Sequence, residues 1–484
     1  MLIKKINTQS SFFFVSCHVI LLSLMLSLLL SNLASLYYSC INANDFSIYQ
    51  QAIYKLSNFQ SLNPFTSIRD LKIFSDHFDP IIILPAILIK LTHANPFLIF
   101  IFEWSLWALF AFLVYRLGDY KWKSFDWIKA LTVIVFSKSL LSGLDFPIHP
   151  TTWSMIPLLF LSYFIKQKNH QGIFYSALSL LLFKELFVFM IVGLAGYYLL
   201  ARQFKLFLSL FILGLLSYWF IFIKRPELFG SQINYGNSLL SALLKNPIKT
   251  LYESWLNFSF PWIMFIPSLF LIPRNKWFEA LPLFFFVLPG ILIHILGARI
   301  VHHHSIALVT IFLSFGLLHK SPHWLLVFVF FATGIGRHTR SFKNLFTTNF
   351  KTCQHKNDKI ESIKKAQAII QPLDEKTIVL SSNGIIPRIL SPSNTIFQMD
   401  TFTLPRNSYD YLVIEKNNFG DIYPTSQSEL DALRLRCLPY ASKVWMDNEH
   451  LTIMQGPFNQ SCVQLKSFIK YDNLFRLNLI EAKK

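Results

Sequence analysis

Ionisable side chains gather where the long apolar runs of this chain begin and end. Asp45 follows the first apolar run by a few residues, and Asp76, His77 and Asp79 crowd the point where the chain re-enters apolar sequence. His149 stands between Pro147 and Pro150, Lys184 and Glu185 interrupt the run from Gly172 to Ala201, and Arg299 precedes His302, His303 and His304. Charges at a membrane edge are costly without partners, which makes them functional candidates first. Such a set suits proton removal from an acceptor hydroxyl as an anionic leaving group departs. A carboxylate would act as general base, and Lys, Arg or protonated His would stabilise the charge that develops on phosphate. Each has an ordinary alternative: Asp79 would cap the helix that Pro80 opens, Lys184 and Glu185 would mark a hairpin turn, and the proline-flanked His149 would be structural. Neighbouring residues on a helix point about 100° apart, so the three histidines cannot converge on one metal, which needs ligands from separate elements.

These groups need elements to hold them. The chain has 484 residues, 53% hydrophobic and 14% charged, with a mean hydropathy of +0.44. That composition, with several runs near the ~20 residues that cross a bilayer, describes a polytopic membrane protein. The net charge of +18 is spread through short loops between apolar runs, which is an orientation signal and argues against nucleic acid as a partner.

Lys4 and Lys5 place the N-terminus in the cytoplasm, with Phe12 to Tyr38 as a signal anchor and 39–96 as the first outer loop. Ile81 to Leu91 is too short to cross and is read as a helix on the outer face. Gly172 to Ala201 is basic at both ends and reads as two short crossings meeting near Lys184 and Glu185. The expected architecture is about eleven transmembrane helices in 1–335, followed by an extracytoplasmic α/β domain in 336–484. In that tail Lys356 to Gln371 and Ser426 to Ala441 read as helices, Thr377 to Ser381 and Tyr409 to Glu415 as strands, and Val444 to Gln455 as a further strand or hairpin. Cys437 and Cys462 would pair if the tail is extracytoplasmic.

The segments NDFSIYQQAIY, SDHFDP, FPIHP, LLFKEL and HHHS resemble, in order, those of a family of predicted bacterial membrane proteins of unknown function (DUF2079), grouped with the GT-C superfamily of membrane glycosyltransferases. The resemblance implies a GT-C-like fold in the bacterial inner membrane and a sugar donor carried on polyprenyl phosphate. It maps catalytic positions onto Asp45, Asp76, His77 and Glu185, with Asp45 as general base. Substrate-binding positions fall on Gln51, His149, Lys184, Arg299 and His304. Gln50 and Leu186 stand where that pattern carries acids, which removes negative charge and disfavours a divalent metal; no cofactor is expected. The expected partners are the polyprenyl-phosphate sugar and membrane lipids. The alternatives are a transporter or lipid flippase, which would want ionisable groups at the bilayer midplane, and a non-catalytic envelope assembly protein.

Overall fold

The protein, seen here as a computed structural model, is described over residues 2–39, 43–59, 61–68, 71–92, 95–145, 148–229, 265–296, 302–320, 322–346, 359–399, 406–417 and 426–463. The side chains of 2–11, 43–45, 71, 76, 145, 293–296, 302–305 and 344–346 lie outside that description. Two compact units alternate along the chain. The first holds Met1–Leu29, Phe74–Ile81 and Ile101–Phe342; the second holds Leu30–Ile73, Ile82–Phe100 and Lys343–Lys484.

The protein is mostly helical and carries the apolar helices of a membrane protein. Among the described residues three are long and apolar enough to cross a bilayer: Phe12–Tyr37, Phe97–Leu117 and Phe204–Phe229. A fourth arises if Phe125–Phe136 and Lys138–Leu144, bent by 49°, count as one span. This is fewer than the eleven crossings expected. Helices do occupy most of the other stretches read as crossings, among them Met155–Lys166, His170–Leu180, Leu186–Leu200, His302–Leu318 and Trp324–Phe346, but they fail the same test of length and apolarity. Trp255 to Ile272 lies largely outside the described residues.

In the first unit, exposed apolar side chains such as Leu26, Phe112, Leu208, Leu215 and Phe328 form the kind of surface that lipid rather than water covers. Where helices end inside the unit, other side chains take up the carbonyls that have lost their helical partners. Phe125–Phe136 stops at the bend, and His338 brings Nε2 to 3.0 Å from Val135 O. Gly334 on the same helix as His338 allows the approach, since a Cβ there would lie 2.2 Å from Phe136 O. Tyr120 Oη and Lys166 Nζ donate to Leu317 O and Leu318 O at 2.5 and 2.6 Å, closing the end of His302–Leu318. Trp324–Phe346 runs past Ile335, the end expected for the last crossing, because its polar residues find partners: Arg337 Nη2 donates to Ser142 Oγ at 3.1 Å.

In the second unit the first outer loop folds as a helix, Ala43–Ser57, and a short antiparallel hairpin of β1 (Phe65–Thr66) and β2 (Leu71–Lys72). The helix Ile83–Leu91 follows a 3-10 turn that begins at Pro80. Its N-cap residue is Ile82, with no side-chain cap. It buries Pro85, Ala86 and Ile89 and leaves Ile83, Leu84, Ile87, Leu88 and Leu91 exposed, an apolar stripe along one side.

The tail carries β3 (Ile378–Ser381), β4 (Thr395–Gln398), β5 (Ser408–Glu415), β6 (Lys443–Asp447) and β7 (Leu451–Asn459), in the spatial order β4-β3-β5-β7-β6. The pairs of β3 with β4 and β5 are parallel, and β7 pairs antiparallel with both β5 and β6. The helix Gln427–Cys437 opens on a capping box, Ser426 with Glu429, and lays Leu430 and Leu433 onto a core with Leu412, Tyr409 and Met454. Cys437 and Cys462, both buried in that core, form a disulfide.

Candidate functional site

The segment Phe74–Ile81 is held at three points within the first unit. Ile81 N donates to Leu182 O at 3.0 Å, Ser75 Oγ donates to Phe229 O at 2.7 Å, and the Phe78 ring packs edge-on against Phe220 at 5.6 Å. Between these anchors His77 Nδ1 lies 2.9 Å from Glu185 Oε1, and Phe78 N donates to Glu185 Oε2 at 3.3 Å. The carboxylate comes to this place because the chain breaks here: His170–Leu180 ends, a turn carries Lys184, and Glu185 is the residue from which Leu186–Leu200 starts. The two short helices meeting near Lys184 and Glu185 match the reading of 172–201 as two segments rather than one.

The pair differs from the expected one. Lys184 and Glu185 are chain neighbours, but Glu185 bonds His77, while Lys184 is buried and acts on Glu185 through its charge. Burial works to raise the Glu185 carboxyl. The charge and hydrogen bond of His77, with Lys184 behind them, outweigh it and hold the group below the usual carboxylate range. An ionised carboxylate only accepts, so Nδ1 of His77 carries the proton and Nε2 is the atom that acts: an acceptor in the neutral ring, a donor in the imidazolium. Such a dyad can hold a histidine in register beside an anion or a hydroxyl. Asp79 is fully buried two residues on.

His149 belongs to a second local arrangement in the same unit. It is buried at the N-cap of the short helix Pro150–Trp153, next to Ile148, whose φ of 56° is a conformation that a β-branched residue adopts only under constraint. The constraint comes from Glu103, fully buried in Phe97–Leu117. Its carboxylate accepts from Trp153 Nε1 at 3.0 Å and from Ile148 N at 3.5 Å, fixing the turn from both sides.

Gln51, expected to bind substrate, lies in the second unit with both ends of its amide engaged. Nε2 donates to Ser67 Oγ at 2.7 Å and Oε1 accepts from Ile68 N at 3.3 Å, tying Ala43–Ser57 to the β1 hairpin. Asp45 is on the first turn of that helix and Asp76 ends the short helix Ile73–Asp76, both with side chains outside the described residues. Arg299 is outside the description altogether, and His304 is known only as helical backbone. Among the described residues no three His, Cys, Asp or Glu side chains gather as a metal site.

Neither protein-family models nor curated proteins give a match to this chain. Its reading therefore rests on its own side chains, and three of those carry weight that the sequence reading did not assign. Glu103 had a legible signal, an acid inside an apolar run of twenty-one helical residues. Arg225 and Arg388 had none: Arg225 follows Lys224 at the end of an apolar run, and Arg388 stands alone between Pro387 and Ile389. Arg388, on the tail, donates through Nη1 to Leu36 O at 3.4 Å and to Tyr37 O, so a cation closes the end of the first helix.

Proposed function

We propose that this chain is a GT-C-type membrane glycosyltransferase related to the DUF2079 proteins, moving a sugar from a polyprenyl-phosphate carrier to an acceptor on the extracytoplasmic side of the bacterial inner membrane. Asp45 takes the proton of the acceptor hydroxyl, the freed oxygen attacks the anomeric carbon, and the bond to the carrier phosphate breaks with inversion. Polyprenyl phosphate leaves as the anion. The observation that carries the reading is the His77–Glu185 pair with Lys184 beside it, a compact cationic and anionic set at the break between two short apolar helices. The disulfide supports an oxidising compartment for the tail. The exposed apolar stripe on Ile83–Leu91 supports a helix lying in the outer membrane surface.

The test is reconstitution with polyprenyl-phosphate sugars. Wild type is expected to release carrier phosphate, and Asp45→Asn to lose about 10²–10⁴-fold in turnover; an Asn variant of undiminished rate would remove Asp45 from the role of base. One observation favours a transporter instead: Glu103 is a fully buried acid in a membrane-length helix. A Glu103→Gln variant that transfers sugar normally but abolishes proton-coupled lipid movement in liposomes would select that second reading.

A further inference from the structure

The helix after Phe204–Tyr218 widens into a π-turn over Trp219–Lys224 and continues as Arg225–Phe229. The cause is Pro226, which has no amide to donate and whose ring would clash with the carbonyl four residues back, so the turn before it opens. Arg225 N accordingly donates to Phe220 O, five residues earlier. This turn delivers the Arg225 side chain into the protein, where it is 4% exposed. Among the described residues its Nε and Nη1 meet no hydrogen-bond acceptor. The carboxylate nearest in sequence, Glu227, is taken by Lys224 at 2.7 Å, and Glu185 is taken by His77 and the Phe78 amide. Two guanidinium nitrogens buried with no acceptor among the described residues are held at a cost that nothing on their own element offsets.

We infer that Arg225 is an anion-binding residue that receives a phosphate monoester. The planar fork of a guanidinium suits phosphate oxygens, and a buried one discriminates them from water. The site adjoins the pair described above through the chain. The two contacts that hold Phe74–Ile81 against this region, Phe78 on Phe220 and Ser75 on Phe229, fall on either side of Arg225 in sequence. The segment that carries His77 is thus anchored one turn before Arg225 and one turn after it. The inference rests on the transferase reading only for the lipid that bears the phosphate.

The experiment uses the full chain in phosphatidylcholine nanodiscs, with polyprenyl phosphate, with inorganic phosphate alone, or with neither. Wild type is expected to retain the phosphate probe about tenfold or more better than Arg225→Met, and Arg225→Lys to recover part of the difference. Lys224→Gln, which removes the neighbouring exposed cation, is expected to bind as wild type does. Retention of polyprenyl phosphate alone identifies a lipid headgroup as the source; retention of both identifies the phosphate itself. Without any phosphate probe Arg225→Met is expected to melt higher than wild type, because an apolar side chain replaces buried donors that lack acceptors among the described residues. A purely structural arginine gives the opposite sign. Equal binding by wild type and Arg225→Met, equal weakening by Lys224→Gln, or a lower melting point for the unliganded Met variant overturns the assignment. Phosphate held through Arg225 with no sugar transfer would sink the transferase reading and leave the site standing. Sugar transfer that survives Arg225→Met unchanged would do the reverse.

Discussion

Replacing Glu185 by glutamine is expected to lower turnover by about 10²–10⁴-fold while leaving the volume of the side chain unchanged. The amide has lost the charge that holds the His77 Nδ1 proton, and its NH₂ can turn toward the ring where an acceptor stood. Steady-state release of carrier phosphate measures the effect, and a loss under about threefold would show that the pair has no part in turnover. The same pair sets a pH window. The folded state holds the Glu185 carboxyl below its ordinary value, so the unfolded chain binds its proton first as pH falls. The stabilisation is therefore complete above the usual carboxylate range, near 4.3, and is lost only as pH drops through the lower folded value. Wild type should melt at a nearly constant temperature from neutrality down to that range and fall below it. Glu185→Gln should start lower and show less of that acid-side decline.

Breaking the disulfide is expected to have the largest effect on stability. Cys437 and Cys462 are 25 residues apart, and a closed loop of that size restricts the unfolded chain by about 3–4 kcal/mol. The Cys437→Ser, Cys462→Ser double variant should unfold in its tail roughly 10 °C earlier, followed by melting or limited proteolysis. Reductant should reproduce the shift in the wild type. Tail stability indifferent to both would mean that the thiols are not joined in the cell, and the extracytoplasmic placement of the tail would lose its chief support.

The elements legible in the sequence were those with strong local signals. In the tail the expected helix over 356–371 is Lys359–Ile370, the expected strands are Ile378–Ser381 and Ser408–Glu415, and the last stretch is the β6–β7 hairpin. The turn of helix Ile386–Ile389 and the strand Thr395–Gln398 were missed; each is four residues long, too short for periodicity to register. In the first unit the break at Lys184 and Glu185 was legible because charges flanked a run too long for one span. The bonding of Glu185 was not, since its partner is 108 residues away and a closer cation, Lys184, stands beside it in the chain. Arg225 was invisible for a related reason: a basic residue beside Lys224 reads as a loop cation, and only its burial separates the two.

The tail and the first loop are joined by groups far apart in the chain. Gln50 Nε2 donates to Pro387 O, Ser67 Oγ donates to Ile396 O, and Arg388 closes on Leu36 and Tyr37, contacts spanning 329 to 352 residues. During synthesis the early loop therefore emerges long before its partners exist, and until the tail is made the groups that meet it stay unmatched. A chain that stops short of the tail leaves this early segment without the carbonyls and the guanidinium that complete it.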